Sequence, residues 1–87
     1  MRNVHNAVSD ALMAIRANRG IQDKIELDAN NPGRYIITLT HVNLQKNLVA
    51  EVLTVNGEFD SAGVLERVGF SQRFETNFMD ALMMYLN

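Results

Sequence analysis

Side chains able to do chemistry are few and scattered in this chain. His5 and His41 are the only imidazoles, and neither has a second His, Asp or Glu at the spacing a metal site or proton relay requires. His41 continues the alternation Tyr35, Ile37, Leu39, so it reads as a strand-end ring partly packed against helices; a pH switch would need the same ring in a shifted environment. Ser9, Ser61 and Ser71 lack the glycine elbow of a nucleophile, and Thr38 and Thr40 fit a solvent-facing strand edge. Glu58, Asp60 and Glu66 cluster in sequence, but general acid–base work needs a concave pocket, and they read as solvated surface. The glycines stand singly at Gly20, Gly33, Gly57, Gly63 and Gly69, which makes no phosphate-cradling loop. Gly63, placed inside a helix start, suggests close backbone packing. The expectation is no catalytic residue, no metal, no cofactor and no enzymatic activity.

Composition narrows the remaining classes. The chain has 87 residues, a single domain (1-87) by length, with ten acidic and eight basic residues and a net charge of −2 spread along it. That balance fits neither a phosphate-driven nucleic-acid binder nor an acidic nucleic-acid mimic. The absence of cysteine excludes disulfide scaffolds and thiolate zinc sites and fits a reducing compartment, so a cytoplasmic location is expected. Met1-Arg2-Asn3-Val4-His5-Asn6 carries one early positive charge with no apolar run behind it, so neither a signal peptide nor a membrane contact is expected.

The elements that must position these groups follow from periodicity. Val4, Val8, Leu12 and Ile15, with Ala7, Ala11 and Ala14 beside them, form a helical stripe that Asn3 can cap and Gly20 can end, predicting a helix over 4–18. Ile25, Leu27 and Ala29 then alternate with Lys24, Glu26 and Asp28 as a strand. Asn30-Asn31-Pro32-Gly33 supplies the fixed φ and the positive φ of a type II turn, leading to a second strand from Arg34 to about Val42. A third strand, about Lys46 to Val55, ends at Asn56-Gly57, a strong hairpin dipeptide. Asp60 or Ser61 can cap a short helix carrying Val64, Leu65 and Val68 to Gly69, and Ser71 caps a last helix reaching almost to Asn87. The predicted class is α+β, in α-β-β-β-α-α order, with a three-stranded antiparallel sheet and the helices packed on one of its faces.

Two segments carry more apolar surface than such a domain needs. On the last helix, Phe74, Phe78, Met79, Ala81, Leu82, Met83, Tyr85 and Leu86 cover about 200° of the circumference, with Met84 beyond, against the ~100° stripe of an ordinary surface helix. Methionines suit an adaptable binding surface, although at helical spacing they also suit a core. Strand three is apolar on both faces, so either Leu48, Ala50 and Val52 or Val49, Leu53 and Val55 must point away from the helices, with Ile36 and Val42 as candidates to join them. The partner-binding residues expected are Val49, Glu51, Leu53, Val55, Met79, Met83, Met84 and Leu86.

These features predict a non-enzymatic protein-binding module, an accessory or inhibitor that occupies a surface on a protein partner or on a second copy of itself. Such stand-alone domains are typical of the small proteins by which phages and other mobile elements block host machinery. A second reading comes from the order helix, three strands, helix over about residues 4 to 68, which resembles double-stranded RNA-binding domains in order of elements alone and implies nucleic-acid binding. Where that family places a basic run, after strand three, this chain has Asp60-Ser61-Ala62-Gly63-Val64, and Arg16, Arg19 and Lys24 are the cations left to grip phosphate. A third reading is a small oligomeric enzyme with a site at the subunit junction, for which His41 and Glu51 would be the groups to mutate.

Overall fold

The computed structural model describes residues Asn3 to Asn87; Met1 and Arg2, on which part of the amino-terminal reading rests, lie outside it. Helix α1 runs Val4–Ala14, and the side chain of Asn3 caps it by accepting from the backbone N–H groups of His5 and Asn6. It ends four residues before the predicted boundary, without a glycine. Arg16 takes φ 58°, and the N–H groups of Arg16 and Ala17 return to the carbonyls of Met13 and Leu12, the two reverse bonds of a Schellman stop. Gly20, expected to end the helix, instead turns the chain toward the sheet at φ 78°.

The sheet has four strands in the order β1-β2-β3-β4: β1 Gln22–Leu27, β2 Arg34–His41, β3 Lys46–Val55 and β4 Glu58–Val68, with every neighbouring pair antiparallel. The β1–β2 connection forms as the turn chemistry requires, with the Arg34 N–H donating to the Asn31 carbonyl across Pro32 and Gly33, the latter at φ 96°. Val42, expected on the open face of the second strand, instead opens a 3-10 turn, Val42–Leu44, beyond the end of β2.

The predicted second-to-last element, the short helix, is corrected. The segment from Asp60 to Val68 is not a short helix but most of β4, the longest strand of the sheet at 11 residues. Asn56 and Gly57 sit at φ 53° and 79°, the paired positive values of a tight primed hairpin turn, and the strand returns directly from them. Two register shifts, leaving Asp60 and Leu65 without partners on β3, make these positions bulges. The observed order is therefore α-β-β-β-β-α, and the order shared with double-stranded RNA-binding domains is interrupted by this fourth strand.

Helix α2, Gln72–Leu86, starts where predicted, with the Ser71 hydroxyl accepting from the Phe74 N–H. Its joint with β4 is fastened several times over. Arg67 bonds Glu75, Gln72 and the Phe70 carbonyl, while Phe70 stacks on Phe74 at 4.3 Å between centroids and lies under the Lys46 ammonium. Both helices stand on one side of the sheet and share one core with it: Val8 and Leu12 from α1, Phe78, Leu82 and Leu86 from α2, and Ile37, Leu39, Leu48, Ala50 and Val52 from the strands. Each of the larger of these side chains contributes roughly 1.5–3 kcal/mol by leaving water.

Candidate docking face of the sheet

The core settles which row of β3 faces outward. Leu48, Ala50 and Val52 are fully buried beneath the helices, so Val49, Glu51, Leu53 and Val55 lie on the opposite face. Register places Thr38 and Glu66 beside Val49, Ile36 and Gly63 beside Glu51, and Arg34 and Ser61 beside Leu53. No element of the described residues covers this face. Its apolar side chains Ile36, Val49 and Leu53 are half-buried, and Val55 at its end is 58 % exposed.

The charges of the face are organised around Arg34. Its Nε donates to Glu51 at 2.7 Å and its Nη1 to Asp28 at 2.9 Å, so one guanidinium joins the start of β2, the middle of β3 and the residue after β1. The Asp28 carboxyl is held below the ordinary aspartate range, first by the backbone N–H of Asn30 and then by the Arg34 bond. Arg34 is pushed further up, first by Glu51 and then by Asp28. Lys24 pairs with Glu26 at 3.3 Å on the β1 side. The arrangement offers carboxylate acceptors around an apolar centre and no nucleophile held against a base.

The last helix divides the other expected residues. Met79 and Leu86, expected on an interaction surface, belong to the core, because they lie on the α2 stripe that meets the sheet and α1. Met83 is half-buried against that core, and Met84, at 67 % exposed, stands in solvent. The structure thus brings Val49, Glu51, Leu53 and Val55 together and leaves Met84 away from the core. Arg34 and Asp28 escaped the sequence reading, since the meeting of Arg34 with both Glu51 and Asp28 depends on strand register rather than spacing along the chain. Gly63 is also corrected: the position its Cβ would take meets nothing within 4 Å, so no close backbone packing explains it.

Elsewhere the molecule offers little chemistry. His41 is half-buried at the end of β2, with Nδ1 lacking a hydrogen-bond partner and the ring lying against Gly20. The neighbouring open cleft is lined by Gly20, Ile21, Gln22, Val42 and Asn43, none of them titratable. Among the described residues no group of three His, Cys, Asp or Glu could hold a metal ion, and no helix is long and apolar enough to cross a membrane. Set beside known proteins, the chain matches no family model, no curated protein and no solved structure.

Proposed function

We propose that this chain is a non-enzymatic protein-binding module that acts by occupying a surface on a protein partner through the outer face of its sheet. One observation carries the reading. Both helices stand on the same side, leaving Ile36, Val49, Leu53 and Val55 around Glu51 on the outer face of β2 and β3, with no element of the described residues over them. Monomeric domains commonly pack both faces of a sheet this apolar or make the open one polar, and this face is mixed in the way of an interface: an apolar centre with a charged surround.

The test is comparative retention. Val49→Lys combined with Val55→Lys places cations opposite Glu66 and Glu58 on β4, so the fold is kept while the apolar row is broken. A protein retained from lysate by the wild-type chain and lost by this variant, at equal thermal midpoint, supports the reading. Retention indifferent to the substitution sinks it.

A further inference from the structure

Asparagine chemistry singles out one place in the fold. Only Asn56 is followed by glycine in this chain, and Asn31 precedes Pro32, which carries no N–H. Asn56 and Gly57 are both exposed at the tip joining β3 to β4, and beyond the chain neighbours no atom of the described residues lies within 4 Å of where a Gly57 Cβ would stand. Among the described residues neither the Asn56 carboxamide nor the Gly57 N–H has a hydrogen-bond partner. Elsewhere asparagine side chains are engaged: Asn3 caps α1, Asn47 accepts from the Thr40 hydroxyl and Asn87 donates to the Met83 carbonyl. A carboxamide and an unhindered backbone nitrogen, adjacent and both free, are the two reactants of an intramolecular acyl transfer.

We propose that Asn56-Gly57 is a self-modification site, at which water converts Asn56 through a cyclic imide into an aspartyl or isoaspartyl residue. The Gly57 nitrogen, its proton taken by hydroxide, attacks Cγ of Asn56. The N–Cγ bond forms, the Cγ–Nδ2 bond breaks, and ammonia leaves with a proton from water, which restores the hydroxide. Water then adds to one of the two imide carbonyls. Cleavage of the new N–Cγ bond returns the ordinary chain with a carboxylate at position 56, whereas cleavage of the original peptide C–N bond leaves the main chain running through the side chain, one methylene longer. The net reaction consumes water and releases ammonia, with no change of oxidation state.

The hairpin sets the pace of this reaction. Asn56 and Gly57 hold the primed turn at φ 53° and 79°, and ring closure needs Asn56 to leave that backbone conformation. The opening is local: Thr54 is fastened to the Gly33 carbonyl by its N–H at 2.8 Å and its hydroxyl at 3.0 Å, so only the Val55–Glu58 pair has to part. Either product adds a negative charge beside Glu58 to a chain of net charge −2, and the isoaspartyl link no longer fits the two-residue turn that sets Val55 against Glu58. This chemistry asks nothing of the open sheet face and stands apart from the docking reading.

The full chain is incubated at neutral and at mildly alkaline pH, then digested with trypsin, and the peptide from Asn47 to Arg67 is followed by mass spectrometry. Position 56 is expected to convert at least about tenfold faster than any other asparagine, in proportion to hydroxide concentration, and to give two products of equal mass that separate on a column. In 15N spectra the converted chain should show shifted amides at Val55 and Glu58, and its thermal midpoint should fall below that of Asn56→Asp, which carries the charge on an ordinary link. Conversion at position 56 in urea but none in the folded chain overturns the site, because the hairpin then guards it. Comparable conversion at several asparagines, or an ordinary aspartyl product alone, overturns the route through Gly57. Equal midpoints for the converted chain and Asn56→Asp overturn the loosening of the turn by the longer link.

Discussion

Gly63 stands directly opposite Glu51 across the β3–β4 ladder, on the uncovered face, and beyond its own chain neighbours no atom of the described residues lies within 4 Å of where its Cβ would be. A glycine in a strand interior weakens it, and this one is not required by packing or by a positive φ. Gly63→Val should therefore raise stability by about 0.5–1 kcal/mol, read as an increased midpoint in urea at unchanged slope. The same variant should lose affinity for whatever occupies the face. A stabilised variant that binds as the wild type does would show that the notch serves no contact.

The bonds that Asp28 accepts from the Asn30 N–H and from Arg34 make stability acid-sensitive. Asp28 binds its proton less readily in the folded chain than its ordinary value of 3.8, so its contribution is fully present above that value and disappears as pH falls through the lower folded one. Chemical denaturation between about pH 5 and about pH 2.5 should show stability falling, and Asp28→Asn should flatten part of the slope. An unchanged slope in Asp28→Asn would show that other carboxylates carry the acid response.

Neighbouring positions of α2 should respond very differently to the same substitution. Leu82→Ala empties a fully buried site and is expected to cost roughly 2–5 kcal/mol, while Met84→Ala, at the solvent side, should stay within about 0.5 kcal/mol. Thermal unfolding followed by far-UV circular dichroism separates the two. Similar losses would contradict the burial described for this helix.

The two hairpin glycines differ in what surrounds them. Gly57→Ala meets no atom within 4 Å and carries only the strain of φ 79°, about 1–2 kcal/mol. Gly33→Ala adds a contact of 2.7 Å with the Thr54 carbonyl oxygen to a φ of 96°, so it should cost more, and its urea midpoint should fall below that of Gly57→Ala.

Most of the architecture was legible because local chemistry and tertiary structure agree: Asn3 and Ser71 cap their helices, Pro32-Gly33 turns the first hairpin, and β3 begins and ends as its composition indicates. The fourth strand was misread for a physical reason. Its inward residues are Phe59, Ala62, Val64 and Arg67, because each bulge adds one residue to the alternation. Intervals of three, two and three mimic one face of a helix, and Asp60 and Ser61 look like its cap. The end of α1 was misplaced because Arg16, not a glycine, adopts the left-handed stop. At the candidate site, the outward row of β3 was visible as one of two alternatives, but the choice between them required knowing which row the helices cover. Met79 and Leu86 were assigned outward because a helix with a wide apolar arc does not reveal, from sequence, how much of that arc two packed layers enclose.

The bulges at Asp60 and Leu65 have a bearing on how this chain behaves when crowded. β4 is the edge of the sheet, and its backbone would otherwise be a long template for another molecule's strand. Between the two irregularities only Ser61 to Val64 keep regular register, shorter than the six or seven residues from which fibrils grow. The opposite edge, β1, is short and carries Asp23, Lys24 and Glu26. Both margins of the molecule are thus poor seeds for aggregation, and its uncovered apolar side chains Ile36, Val49 and Leu53 lie on the inner strands, away from either edge.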